Sequence, residues 1–289
     1  MMRIAIASGK GGTGKTFVST NLFNVLRKNN QRVCLVDCDA EEPNDMVFIG
    51  GVKEQSFEVT QKVPIIDESK CQYCGKCRDY CNYNAIFFLK EPPIIKAMHE
   101  LCHGCGACSV ACEYGAITER DDLLGSVTRF KVDSRSSLIE SRVKVGVYSP
   151  VRVIKKAVKE ANEADVVLLD SPPGTSCPFI QTVVNADFVV LVTEPTPFGL
   201  SDLMQSVDTL KSIGKRCGVI INRAGMGTDD VYEYLRIEEI PLLMSIPFDR
   251  TIASCYSRGE LITDKEEEWA SKFNQLYSLI VESHANSRY

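Results

Sequence analysis

The chain has 289 residues, 44% of them hydrophobic and 25% charged, with a formal net charge of −5. That length suits one large domain or two ordinary ones, and the acidic balance speaks against a surface that coats nucleic acid. No apolar run reaches the roughly 18 residues of a membrane-spanning helix, and the first residues lead directly into a strand, so a cytoplasmic chain is expected, without membrane or nucleic-acid partners.

Residues 4–7 read as a short apolar strand that ends at Ser8. Then comes Gly9-Lys10-Gly11-Gly12-Thr13-Gly14-Lys15-Thr16, which satisfies G-x-x-x-x-G-K-[ST] between a strand and a helix. The glycines let backbone N–H groups curl around phosphates, and the helix that follows directs its positive end at them. Lys15 is expected to reach the β- and γ-phosphates, and the Thr16 hydroxyl to take a Mg²⁺ position. Over 15–27, Phe17, Val18, Leu22, Val25 and Leu26 recur at helical spacing. A second strand at 33–36 ends in Asp37-Cys38-Asp39.

From 61 to 119 the pattern changes to cysteine-rich loops with a Pro92-Pro93 break. Thirteen cysteines are many for a chain in a reducing compartment, and eight of them form two ladders. Cys71-x-x-Cys74-x-x-Cys77-x-x-x-Cys81 recurs 31 residues later as Cys102-x-x-Cys105-x-x-Cys108-x-x-x-Cys112, and the repeat continues past the thiols. Such a duplication marks a separate module, giving expected domains of 1–60, 61–119 and 120–289, the first and last forming one fold. Zinc also takes four thiolates, usually on paired C-x-x-C knuckles, whereas duplicated four-cysteine ladders favour iron–sulfur clusters. His99 and His103 flank the second ladder and are expected at the surface, the thiolate count being complete without them.

Further strands are expected at 166–169, 188–192 and 218–221, with helices at 151–164 and 201–213 between them. These strands are continuous β-branched runs without polar alternation, as in a parallel sheet covered by helices on both faces. The fold class is therefore α/β, a doubly wound and mostly parallel sheet with a small inserted α+β module. Trp269, Phe273, Leu276, Tyr277 and Ile280 have helical spacing after three glutamates, which suits a core-packing helix rather than one that holds a membrane.

With its second lysine, Lys10, the glycine-rich loop resembles the deviant Walker A of the MinD/ParA/Mrp/nitrogenase-iron-protein family. The resemblance implies Mg²⁺-dependent ATP hydrolysis in a homodimer that closes when ATP is bound, with Lys10 reaching the partner subunit's phosphates. It implies that Gly11, Gly12, Thr13 and Gly14 cradle the phosphates. Asp39 matches the position that orients water and holds a Mg²⁺-bound water, with Asp37 in support. Asp170-Ser171-Pro172-Pro173-Gly174 looks like Walker B and switch II, placing Asp170 at Mg²⁺ and Gly174 at the γ-phosphate. Asn222 and Arg223, with Pro247 and Phe248, fit the family's loops on either side of adenine. Cys177 follows switch II, where the nitrogenase iron protein uses cysteines to bridge subunits through a cluster; a lone cysteine in this setting is expected to be a small buried residue.

The ladders resemble those of two-cluster bacterial ferredoxins, in which the fourth cysteine ligates the other cluster. That resemblance implies one 4Fe-4S cluster on Cys71, Cys74, Cys77 and Cys112, and a second on Cys81, Cys102, Cys105 and Cys108. The proline expected after each fourth cysteine is replaced by Asn82 and Glu113. Together the resemblances imply an ATPase that gates electron transfer to a redox partner. The alternatives are a cluster-assembly or carrier ATPase that serves an acceptor protein, against which stands the lack of a C-P-x-C motif, and a positioning ATPase with structural or redox-sensing clusters.

Overall fold

A computed structural model describes residues 1–286. The chain divides into two compact units, one of Met1–Phe57, Val127–Arg142 and the residues from Val151 onward, the other of Glu58–Ser126 and Val143–Pro150. The first unit opens with β1 (Met2–Ala7), α1 (Lys15–Lys28), β2 (Val33–Asp37) and α2 (Asp45–Ile49), then enters β3 (Val52–Ile66). Within the second unit lie α3 (Lys76–Asp79), β4 (Ile86–Leu89), β5 (Ile94–Ala97) and α4 (Ala107–Ala111). The chain leaves it through β6 (Ile117–Lys131) and continues into β7 (Ser136–Val143). Alternating elements follow: α5 (Val151–Glu160), β8 (Val166–Asp170), α6 (Cys177–Val183), β9 (Phe188–Thr193), α7 (Pro197–Ser212), β10 (Cys217–Ala224), α8 (Asp230–Ile237) and β11 (Leu242–Pro247). Three helices end the described chain: α9 (Arg250–Ser257), α10 (Ile262–Lys265) and α11 (Glu267–Asn286).

The strand order is β11-β10-β9-β1-β8-β2-β7-β6-β3, and the pairings from β11 through β7 are parallel. Every residue of β2, β8 and β9 is buried, which is why their sequences are unbroken apolar runs. The register places Asp37 beside Asp170 where β2 and β8 end. Two strand-end carboxylates thus meet just beyond β1, where the glycine-rich loop begins.

Val18, Leu22 and Leu26 on α1 join Trp269, Phe273, Leu276 and Ile280 on α11 in one buried cluster, with the Phe17 and Phe273 rings edge to face at 5.9 Å. The last helix is a core element. Among the described residues no helix is long and apolar enough to cross a membrane. The helix expected over 201–213 starts earlier, at Pro197, because the Thr196 side chain accepts from Gly199 N at 3.0 Å and proline suits the first turn.

The second unit is wider than the 61–119 expected from the cysteines. Its edges fall inside β3 and β6, each 15 residues long, so no loop marks the border, and residues 143–150 also belong to it. Its core gathers Cys77, Ile86, Ile95, Cys108 and Ile117 around the antiparallel β4–β5 hairpin. The repeat shows in the backbone. Gly75 and Gly106 stand at equivalent ladder positions, both left-handed (φ +81° and +75°), each starting a short helix that buries the ladder's third cysteine. A Cβ at Gly75 would press the Phe88 ring at 3.1 Å.

Candidate nucleotide and metal sites

The loop between β1 and α1 lines a cavity of about 450 Å³. Gly11, Gly12, Gly14, Lys15 and Thr16 form one wall, Asn222, Arg223, Pro247 and Phe248 another, and Asp39 and Asp170 also face it. Gly14 is left-handed (φ +104°), and a Cβ there would lie 2.5 Å from Asn222 Nδ2. Close approach is needed because Asn222 Nδ2 donates to the Thr13 carbonyl at 2.7 Å, tying the end of β10 to the loop. Asn222 therefore holds the phosphate loop as well as lining the cavity. Thr13 itself is buried behind the loop.

Lys15 Nζ donates to Ser8 Oγ at 3.0 Å, and Ser8 Oγ donates to the Lys10 carbonyl at 2.5 Å. Burial lowers the Lys15 pKa, while the charges of Asp170 and Asp39 oppose that shift. Asp170 Oδ2 accepts from Thr16 Oγ1 at 2.9 Å and Ser19 Oγ at 3.0 Å. Asp37 accepts the backbone N–H groups of Asp39 (3.1 Å), Asn44 (2.8 Å) and Asp45 (3.0 Å), so it shapes the loop that delivers Asp39 to the cavity. Burial, then the Asp170 charge, push the Asp39 carboxyl up to about 6, against the pull of Lys15.

Asp45 and Tyr256 belong to this site without any motif in the sequence to mark them. Asp45 is fully buried with its carboxyl against that of Asp170, and burial, then the charges of Asp37 and Asp170, raise its pKa. Beside Pro43-Asn44 it reads as the start of a helix, and only the fold brings it to Asp170. Tyr256 lines the same cavity and stacks on Phe48 of α2 at 4.7 Å, joining α9 to the Asp39–Asp45 loop; no local pattern announces it.

Asp39 and Asp170 face the cavity beside Lys15, and together with the Thr16 hydroxyl they fit a hard divalent cation. Thr16, Asp39 and Asp170 would hold Mg²⁺ or its water shell, and the ion would supply charge stabilisation to the phosphates. Without nucleotide, Asp45→Asn is expected to raise the melting temperature by roughly 3 °C or more near neutral pH. The sign follows from the raised pKa: the unfolded carboxyl ionises above about pH 3.9, so the fold's penalty grows as pH rises beyond that value. Thermal unfolding near pH 7.5 and pH 4 checks this, the gain vanishing at the lower pH; equal midpoints at both would refute it.

In the second unit, Cys81, Cys102, Cys105 and Cys108 line one cavity. Cys81 Sγ accepts from Ala85 N at 3.3 Å, and Cys102 Sγ from Gly104 N at 3.3 Å. In the other thiol set, Cys71 Sγ accepts from Tyr73 N at 3.4 Å. Burial, then its neighbours' charge, raises the Cys102 pKa, with Cys105 and Cys81 among those neighbours, so the thiolates need a cation's charge. Cys71 and Cys112 pack against the same apolar cluster as Cys77, and Lys76 pairs with Glu113 at 2.6 Å beside Cys112. Soft thiolates with N–H donors fit an iron–sulfur cluster. Among the described residues, no three Cys, His, Asp or Glu side chains converge as they would on a single metal ion. His99 Nε2 lies 3.1 Å from the Pro64 carbonyl, and His103 stacks on Tyr83 at 3.8 Å.

Residues 4–262 match the CobQ/CobB/MinD/ParA nucleotide binding domain. The chain belongs to that family. It is a P-loop ATPase of the MinD/ParA kind, and its sheet is the one that carries such sites. An uncharacterized protein of Methanocaldococcus jannaschii is 31% identical over 98% of this chain and 97% of its own. An iron–sulfur cluster carrier protein of Pyrococcus horikoshii is 25% identical over 73% of this chain and 57% of its own. The fold is also similar to the septum site-determining protein MinD complexed with Mg-ADP from the same organism, at a TM-score of 0.59 and 22% identity, covering 95% of this chain and 93% of that one.

Like Thr13, two further residues implied for this MinD/ParA-type site do not line the cavity, and Cys177 departs from its expected burial. Gly174 N donates to the Ser8 carbonyl at 3.1 Å and does not line the cavity. Lys10 also lies outside it and pairs with Glu194. Cys177, expected to be buried, is exposed at the start of α6, because that helix turns Phe179, Thr182 and Val183 inward.

Proposed function

We propose that this MinD/ParA-family ATPase couples Mg²⁺-dependent ATP hydrolysis to two 4Fe-4S clusters in its second unit, and that the coupled process is electron transfer to a redox protein. The observation that carries the reading is the cavity shared by Cys81, Cys102, Cys105 and Cys108. It gathers three thiols of one ladder and the fourth of the other, the combination that crossed ligation requires. Full thiolate ligation favours a cluster that is retained. Along the chain, the ladders follow the Asp37–Asp45 loop and precede Asp170, so both tethers lead to segments placed to respond to the γ-phosphate. ATP would close a homodimer in which Lys10 acts on the partner subunit's phosphates. A cytoplasmic setting keeps the thiols reduced.

A carrier function is the second reading, favoured by the name of the Pyrococcus horikoshii relative. One anaerobic experiment separates the two. The reduced, cluster-loaded protein is mixed with a viologen dye, with and without ATP, and cluster oxidation and iron content are followed. ATP should change the oxidation rate severalfold while iron stays with the chain. A rate indifferent to ATP would refute gated transfer, and passage of iron to an added apo-ferredoxin would establish the carrier.

A further inference from the structure

We propose that Glu194 is a positioning residue that withholds Lys10 until nucleotide arrives, by engaging it with the same carboxylate that pairs with Arg223. This rests on the reading of Lys10 as the residue that reaches the partner subunit's phosphates. Glu194 follows directly on β9, the strand between β1 and β10. Its neighbours on either side supply one cation each. Lys10 comes from the loop after β1, and its Nζ is 3.5 Å from Glu194 Oε2. Arg223 comes from β10, and its Nη1 is 2.7 Å from Glu194 Oε1.

The three groups differ in freedom. Glu194 is only 7% exposed, and its carbonyl accepts from Thr196 N at 2.8 Å. Gly199, in the first turn of α7, lies so close to that carbonyl that a Cβ there would approach it to 2.2 Å. The carboxylate is thus fixed from a backbone without slack. Lys10 is a third exposed on a glycine-rich loop, so it is the group that can leave. A buried carboxylate left alone is strongly unfavourable. Arg223 removes that obstacle, because at 2.7 Å it keeps Glu194 paired after Lys10 has gone. Phosphates, with more charge than one carboxylate, then draw Lys10 away.

Substitutions on the two sides of the pair should therefore act in opposite directions. The measurement is the ATP concentration for half-maximal dimer formation by the full chain, followed by sedimentation, with ADP affinity of the monomer as a control for the base side. Glu194→Gln frees Lys10 and should lower that concentration about fivefold beyond any change in ADP affinity. Glu194→Asp draws the charge back by one methylene and should shift it the same way by less, which keeps the test open if the glutamine variant folds poorly. Arg223→Gln should raise the concentration beyond any change in ADP affinity. In the double variant that extra rise should vanish, since no carboxylate then holds Lys10. Unchanged or weakened ATP-driven dimerisation in both Glu194 variants would overturn the proposal. Lys10→Ala is scored separately: if it dimerises with ATP as the natural chain does, the reading of Lys10 fails. If it does not, while the Glu194 variants match the natural chain, only the role of Glu194 fails.

Discussion

Lys15→Met should lower ATP hydrolysis by about 10³-fold, the scale lost when one preorganised donor aimed at developing charge is removed. Methionine keeps most of the aliphatic stem, so packing at this nearly buried position changes little. What disappears is the cation that faces Asp39 and Asp170. Phosphates entering the cavity would then lose the cation set beside those carboxylates, and both binding and turnover should fall. Without Lys15 the Asp39 carboxyl loses the cation that opposes its rise, so its titration, followed by NMR, should move above about 6. Turnover within tenfold of the natural chain would mean that hydrolysis does not occur in this cavity.

Much of this site can be read from the sequence because its side chains stand where apolar runs stop. Parallel strands buried on both faces show as unbroken runs, and the first polar residue after each faces the sheet's ligand-binding edge. Asp37, Asp170 and Asn222 were all accessible to that logic. Other parts lack a local signature. β3 is largely exposed and β6 is exposed through most of its first half, and both carry charged residues there, so hydrophobic periodicity does not find them, nor the border between the units. Asp45, Tyr256 and Glu194 acquire their roles only from what the fold places against them. Glu194 resembles any strand-end glutamate until β1 and β10 flank it with Lys10 and Arg223. Cys177 shows the opposite failure, since average cysteine burial says nothing about which side of α6 faces the core.

Replacing Cys71 and Cys112 together by serine should leave one cluster intact, retaining about half of the iron and of the broad brown absorbance. The outcome turns on which thiols share a cluster. Under crossed ligation both residues serve the same cluster, so the second substitution adds little to the first. If each ladder instead held its own cluster, the pair would strike both, and nearly all the iron would be lost. The arrangement of the other set favours the crossed outcome, because Cys81 of the first ladder lies in the cavity with Cys102, Cys105 and Cys108 of the second. Cys81 and Cys112 occupy equivalent places in the repeat, so the same exchange should bring Cys112 to Cys71, Cys74 and Cys77. Serine nearly matches cysteine in size but is a harder ligand, so the substitution tests ligation more than packing. Cys71→Ser with Cys81→Ser is the complementary pair: it should abolish both clusters if ligation is crossed and spare one if it is not. The two pairs differ in a single cysteine, and iron analysis with the visible spectrum reads both. Equal losses in the two variants would remove crossed ligation, and with it the observation on which the two-cluster reading rests.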